Sequence, residues 1–321
     1  MSKIIKIWKI NLIILFSFYL STQAHANKCL FISSYHTGYA WSDGVEQGLR
    51  ETLFGKCELK QFNMDTKRNK DEEAKKKAAQ KAIELIESWK PDVVITADDN
   101  AAKYLIKPFF KDHKLPFVFC GINWNVDEYS FPYSNTTGMV EVAPIDALFK
   151  EAKVILDYPA KAIYIGANTL TEKKNLTRFQ QAARKHAVSL DYRLVNSRQE
   201  WLDAYRMAQK FDFIVIGSHS GINDWNEKIV VEFVKSSTTK LSLTNHGWMM
   251  PYTLLGLVKV PEEQGEWAGL AALEILRGTK PIDIPIVSNR RWDILLNSSV
   301  LERSGININD SLLRKAKKIS L

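Results

Sequence analysis

The residues able to do chemistry in this chain sit in short polar stretches, each directly after an apolar run. Ser34-Tyr35-His36-Thr37-Gly38-Tyr39-Ala40-Trp41 follows the first run, Asp98-Asp99-Asn100 a later one, and Asn123-Trp124 the next. Ala167-Asn168-Thr169, Ser218-His219-Ser220-Gly221 and Asn245-His246-Gly247-Trp248 repeat the arrangement in the second half. Ser, Asn, Asp and His fix the orientation of a small organic molecule, while Trp and Tyr cover its flat face. Trp41, Trp124, Trp225 and Trp248 all lie in or beside these stretches. Any one of them could pack on its own lobe, but four together favour a lined cleft. The candidate ligand contacts are therefore Ser34, Tyr35, His36, Tyr39, Trp41, Asp98, Asp99, Asn123, Trp124, Asn168, Ser218, His219, Asn245 and His246. Either Asp98 or Asp99 could instead cap the helix expected near Asn100, leaving the other for a ligand amine or hydroxyl. No Lys or Arg falls in these stretches, so a neutral or zwitterionic ligand is expected rather than a strongly anionic one.

Catalytic readings fare worse. Gly217-Ser218-His219-Ser220-Gly221 has His at its centre, so the Gly-x-Ser-x-Gly spacing of a nucleophile elbow fails. No glycine-rich phosphate loop follows any strand. His36, His219, His246 and Asp98 could together hold zinc, but no His-x-x-x-His or paired-Cys spacing supports it. The expectation is a binding protein with no catalytic residues, no metal and no cofactor.

The elements that must position these residues alternate. Apolar runs at Leu30–Ser33, Leu59–Phe62, Asp92–Ala97 and Pro116–Gly121 are separated by amphipathic helical stretches near Asp43–Phe54, Asp71–Trp89 and Asn100–Phe110. A second block has runs at Ala162–Gly166, Asp191–Val195, Asp212–Gly217 and Lys240–Leu243, with helices at Thr171–His186, Gln199–Lys210 and Asn226–Lys235. Near-continuous apolar strands joined by helices predict parallel sheets covered on both faces. The fold class expected is α/β, with two Rossmann-like lobes. In such sheets, ligands bind beyond the carboxyl ends of the strands, where the polar stretches lie. Thr137–Val142 and Leu254–Val260 fit neither block and read as crossings between lobes. Short paired crossings make a hinge. Residues 27–137 and 259–283 are assigned to the first lobe, 138–258 and 284–321 to the second.

Residues 1–26 read as a secretory leader. Lys3, Lys6 and Lys9 precede the apolar run Ile10–Leu20, and Ala24-His25-Ala26 supplies the small-x-small cleavage pattern. The run is about half the roughly 20 residues that span a bilayer. Cleavage after Ala26 and a periplasmic location are expected. The leader's lysines account for part of the formal charge of +8, and the remaining basic residues are interspersed with acids, which argues against nucleic acid as a partner. Cys29 and Cys57 each open a strand. If those strands are parallel neighbours the two fall within bridging range, so a Cys29–Cys57 disulfide is expected, with two unpaired thiols as the alternative. Cys120 reads as a core residue.

The opening Ser33-Ser34-Tyr35-His36 through Trp41-Ser42-Asp43-Gly44 resembles the first strand and loop of class I periplasmic substrate-binding proteins. Pro261-Glu262-Glu263-Gln264-Gly265, Ile275-Leu276-Arg277-Gly278, Ile284-Pro285-Ile286 and Leu295-Leu296-Asn297 resemble more specifically the ABC-transporter substrate-binding family that includes tryptophan/tyrosine-type binders. The resemblance covers residues 28 to 310. It implies the class I periplasmic binding protein fold, with two lobes hinged by three crossings. It also implies a monomer that binds a small molecule and delivers it to an ABC permease. The same fold forms sensor ectodomains, and the opening is similar to those, so the alternative is an accessory protein of a membrane sensor (a histidine kinase or diguanylate cyclase).

Overall fold

The computed structural model describes residues 27–69 and 71–320. The leader and its cleavage after Ala26 lie outside the described residues. The first block folds as β1 (Lys28–Ser33), α1 (Ala40–Leu53), β2 (Glu58–Asn63), α2 (Glu72–Trp89), β3 (Val93–Ala97), α3 (Asp98–Ala101), α4 (Lys107–Phe109), β4 (Phe117–Asn123) and β5 (Thr136–Glu141). The second runs α5 (Ile145–Leu156), β6 (Lys161–Ala167), α6 (Leu170–Lys185), β7 (Ser189–Val195), α7 (Arg198–Ala208), β8 (Phe213–Ile216), α8 (Glu227–Ser237), β9 (Leu241–Thr244) and β10 (Leu255–Lys259). The chain then returns through α9 (Pro261–Leu276) and β11 (Val287–Ser288), and ends in β12 (Trp292–Asn297), α10 (Ser298–Ser304), α11 (Asp310–Lys315) and β13 (Lys317–Ile319).

Two α/β lobes result. The first sheet has the order β11-β5-β4-β3-β1-β2 and the second β13-β12-β10-β9-β8-β6-β7. Every pairing is parallel except β10 with β12. The strands are parallel because each apolar run is followed by a helix that must return along the sheet. Local signals place those helices. Asp71 caps α2 by accepting from the Ala74 N–H at 2.7 Å, with Glu72 and Glu73 in the first turn. Ala79, Ala82 and Ile86 form its buried stripe.

The two runs expected to be crossings are sheet strands. β5 pairs with β4 and β11, and β10 pairs with β9 and β12. The apolar faces of these strands are buried, which a free linker would not require. The chain changes lobe just beyond them, at 142–144 and at Val260, and again at 289–291. Side chains tie these crossings together. Asn289 accepts from the Val142 N–H at 2.7 Å and donates back to its carbonyl at 3.2 Å. The Glu263 carboxylate accepts from the Arg290 and Arg291 N–H groups, both at 2.8 Å.

α9 covers the first sheet by approaching α1 closely. A Cβ on Gly265 would stand 1.9 Å from the Val45 carbonyl oxygen, and one on Gly48 2.1 Å from that of Glu262. From the same helix Gln264 accepts from the Gly121 N–H at 2.9 Å, the amide that a bulge in β4 removes from the ladder.

Cys29 and Cys57 form a disulfide, their Cα atoms 6.0 Å apart across the neighbouring parallel strands β1 and β2. The bridge closes a loop of sequence separation 28. A loop of that size restricts the unfolded chain by about 3–4 kcal/mol in the entropy model, and measured values commonly fall lower. Reduction is therefore expected to lower unfolding free energy by about 2 kcal/mol. Urea titrations with and without reductant check this, and coincident midpoints would contradict it.

Candidate ligand-binding cleft

Both sheets reverse their strand order at one place, between β1 and β3 in the first and between β6 and β8 in the second. Ligand crevices form at such switch points. In the first lobe, the Ser34 hydroxyl donates to the Ala97 carbonyl at 2.6 Å and accepts from the Ala101 N–H at 2.9 Å. Ser34 thus takes the capping role that Asp98 or Asp99 was expected to fill. Asp99 instead accepts from the Asn123 amide at 2.6 Å and the Tyr129 hydroxyl at 2.7 Å. Asp98 opens α3 in the left-handed region (φ 68°) and is buried, with Oδ1 accepting from the Trp41 indole at 3.0 Å. Its Oδ2 is buried and has no hydrogen-bond partner among the described residues. Burial pushes this carboxyl up to about 7.

Tyr35 and Tyr39 meet edge to face at 5.5 Å, and the Lys67 ammonium stands 4.7 and 4.0 Å from their ring centres. No carboxylate lies within ion-pair range of Lys67 among the described residues. His36 lies beside them with Nδ1 3.4 Å from Asp65. Behind Trp41, Lys259 is 5.1 Å from the indole centre and pairs with Glu141. Burial brings the Lys259 ammonium down to about 8.

The second lobe presents Glu172 from the first turn of α6. Its carboxylate accepts from the Tyr164 hydroxyl (2.5 Å), the Ser218 N–H (2.9 Å) and the Asn175 amide (2.9 Å). Burial pushes the Glu172 carboxyl up against these bonds. His246 stacks on Trp248 at 4.5 Å. Burial holds its imidazole neutral, with the pKa down at about 4. His246 Nε2 and Asn245 Oδ1 are buried without a hydrogen-bond partner among the described residues. The Trp248 indole donates to the Ser218 hydroxyl at 3.3 Å and stays 54% exposed, enough to meet a ligand.

The walls enclose a cavity of about 480 Å³ lined by Tyr39 and Lys67 from the first lobe and Glu172, Asn175, Ser218, His246 and Trp248 among those from the second. A larger one, about 840 Å³, continues along the cleft between Asp99, Asn123, Trp124 and Tyr129 on one side and Lys174, Asn175 and Arg178 on the other. Tyr35 lines a further recess with Lys67 and Asn100.

Ser34, His36, Trp41, Asp98, Asn168, His219 and Asn245 line none of these three cavities, and two of them are engaged elsewhere. His219 stacks on Trp225 at 4.4 Å and meets Tyr252 edge-on at 5.9 Å, within an aromatic cluster of its own lobe. Asn168 donates to Asn196 at 3.0 Å. With His36 beside Asp65, His219 on Trp225 and His246 on Trp248, no group of three His, Cys, Asp or Glu is placed to hold a metal among the described residues.

Lys67, Glu172 and Asn175 were missed from sequence. Lys67 lies after β2, whose loop carries none of the polar stretches singled out in the sequence, and it supplies the cation that those stretches lack. Thr169-x-x-Glu172 is a capping-box spacing whose cap bond is formed at 3.3 Å, and it would have placed the start of α6 and hence Glu172.

Asp98→Asn tests how the site is held. Asn tolerates positive φ and keeps an acceptor for Trp41. The folded pKa of about 7 lies above the unfolded value, so Asp98 costs stability progressively as pH rises from about 4 to 7. His246 acts oppositely, losing stability as pH falls from about 6.5 to 4, so the comparison is variant minus wild type. Asp98→Asn is expected to gain on the order of 2 kcal/mol at pH 8 and little at pH 4. Denaturant titrations at both pH values check it; equal stabilities at pH 8 would contradict it.

No curated protein matches the sequence. The family model described as ABC transporter substrate binding protein matches residues 30–320. Among solved structures, a ligand-free, open substrate-binding protein with adhesive properties from Clostridium difficile superposes with TM-score 0.74 at 14% identity, covering 92% of this chain and 99% of that one. A Streptococcus pneumoniae ABC domain in complex with L-Trp gives 0.59 at 18% identity, covering 91% and 99%. A conserved domain protein from Vibrio cholerae gives 0.61 at 16%, also covering 91% and 99%. The match over residues 30–320 spans nearly the whole chain beyond residue 26, and the chain belongs to the ABC transporter substrate-binding protein family.

Proposed function

We propose that this protein captures a small zwitterionic organic molecule with a flat apolar face between its lobes and presents it to an ABC permease. The observation that carries this reading is the lining of the 480 Å³ cavity. Lys67, which has no carboxylate partner among the described residues, faces Glu172, Asn175 and the stacked His246–Trp248 pair across it. The ammonium suits a ligand carboxylate, the Glu172 and Asn175 oxygens suit an amine, and Tyr39 and Trp248 suit a ring. An amino acid meets all three requirements, ahead of a nucleobase-like compound or a sugar. The relative solved with L-Trp supports an aromatic amino acid as the first compound to try. Secretion to the periplasm with cleavage after Ala26 belongs to the same reading.

Thermal denaturation with a panel of amino acids, nucleobases and sugars tests it. One compound at a hundred times its dissociation constant is expected to stabilise the protein by roughly 2.7 kcal/mol. Stabilisation by phosphate esters or dicarboxylates alone would contradict the charge reading.

A further inference from the structure

We propose that a second small-molecule site lies on the hinge, beside the cleft, and takes a flat organic anion. A cavity of about 510 Å³ opens where the chain crosses between lobes. That is within the range of small-molecule sites. Its walls come from both halves. Trp124 reaches it from the end of β4, Val142, Ala143 and Pro144 from the first crossing, Trp292 from the start of β12, and α5 and α6 supply the remaining side. Trp292 is 39% exposed there, although it is a large apolar side chain, and Trp124 is half-buried. Two indoles and the apolar crossing thus offer flat surface to a ring.

The charges around this wall decide the ligand class. Lys185 is engaged by Asp146, which His186 also meets at 3.3 Å. Arg178, 4.6 Å from the Trp124 ring centre, and Lys150 line the cavity with no carboxylate in ion-pair range among the described residues. The one acid left unengaged in this lining is Glu151. An aromatic carboxylate or sulfonate meets both features, with its ring on the indoles and its charge toward Arg178 and Lys150. Trp124 and Arg178 also line the larger cleft cavity, so an occupant of the hinge shares a wall with the cleft.

The probe is 8-anilinonaphthalene-1-sulfonate, titrated into the folded protein by fluorescence and calorimetry. One saturable site is expected. Affinity should drop at least tenfold in Trp292→Ala and at least threefold in Lys150→Glu, an exposed position that leaves the fold intact. Lys67→Met, in the cleft, should change it by less than twofold. The neutral N-phenyl-1-naphthylamine should bind at least tenfold more weakly than the sulfonate. Absence of saturable binding, equal affinity in Trp292→Ala and Lys150→Glu, loss in Lys67→Met, or equal binding of the neutral dye would each overturn the proposal.

Discussion

Gly265→Val is expected to destabilise the protein by about 4 kcal/mol, the largest effect of any single substitution considered. The valine Cβ alone would fall 1.9 Å from the Val45 carbonyl oxygen and 2.7 Å from the Leu49 nitrogen. Both are backbone atoms of α1, which cannot rotate out of the way as a side chain does. The helices must part, and α9 then loses its packing on α1 and on the first sheet. Overpacking costs about 1–3 kcal/mol where neighbours adjust, and more where they cannot. Gly269→Ala provides the contrast, since its Cβ would meet side-chain atoms, Thr52 Cγ2 at 2.8 Å and Cβ at 2.9 Å, and no backbone atom so closely. About 1 kcal/mol is expected there. Denaturant titrations of both variants check the pair; equal, small losses would mean that the α1–α9 approach is not as close as described.

The second large effect concerns binding. Lys67→Met keeps the aliphatic stem over Tyr35 and Tyr39 but removes the cation at 4.7 and 4.0 Å from their rings. A charge-assisted contact to a carboxylate is worth roughly 1.5–3 kcal/mol. Affinity for an amino-acid ligand should therefore fall about a hundredfold, or ~2.7 kcal/mol, while a neutral ligand of the same shape should lose little. The folded protein should keep its stability, because Lys67 makes no hydrogen bond or ion pair that the fold needs among the described residues. Isothermal titration of wild type and variant decides this, and unchanged affinity would remove Lys67 from the site.

What was legible in the sequence follows from the kind of signal each residue carries. The alternation of apolar runs and amphipathic stretches is strong over strands such as Val93–Ala97 and Phe117–Asn123, where nearly every residue is buried. Those runs therefore identified the parallel sheets. Cys29 and Cys57 were legible because residues opening neighbouring parallel strands must lie at one end of a sheet. Thr137–Val142 and Leu254–Val260, which read as crossings, are for the most part the strands Thr136–Glu141 and Leu255–Lys259. Each runs straight into a lobe change, and nothing local distinguishes a last strand from the link that follows it.

The cleft was legible at the strand ends and obscure on the helices. Tyr39, Ser218 and His246 each lie in the loop that follows a strand, so topology alone directs them to the cleft end of the sheets. Glu172 and Asn175 reach the same cavity from α6, where acids and amides ordinarily face water. His219 occupies a strand end, yet stacks on Trp225, because an aromatic cluster in its own lobe offers it a partner closer than the cleft.

The most direct test of the central claim is a calorimetric titration of the purified protein at pH 8 with L-tryptophan, L-tyrosine, a nucleobase and a dicarboxylate in turn. The account predicts a saturable one-to-one isotherm with a zwitterionic aromatic amino acid, and a change in indole fluorescence as Trp248 is covered. Tight binding of the dicarboxylate with no heat from any zwitterion would contradict it.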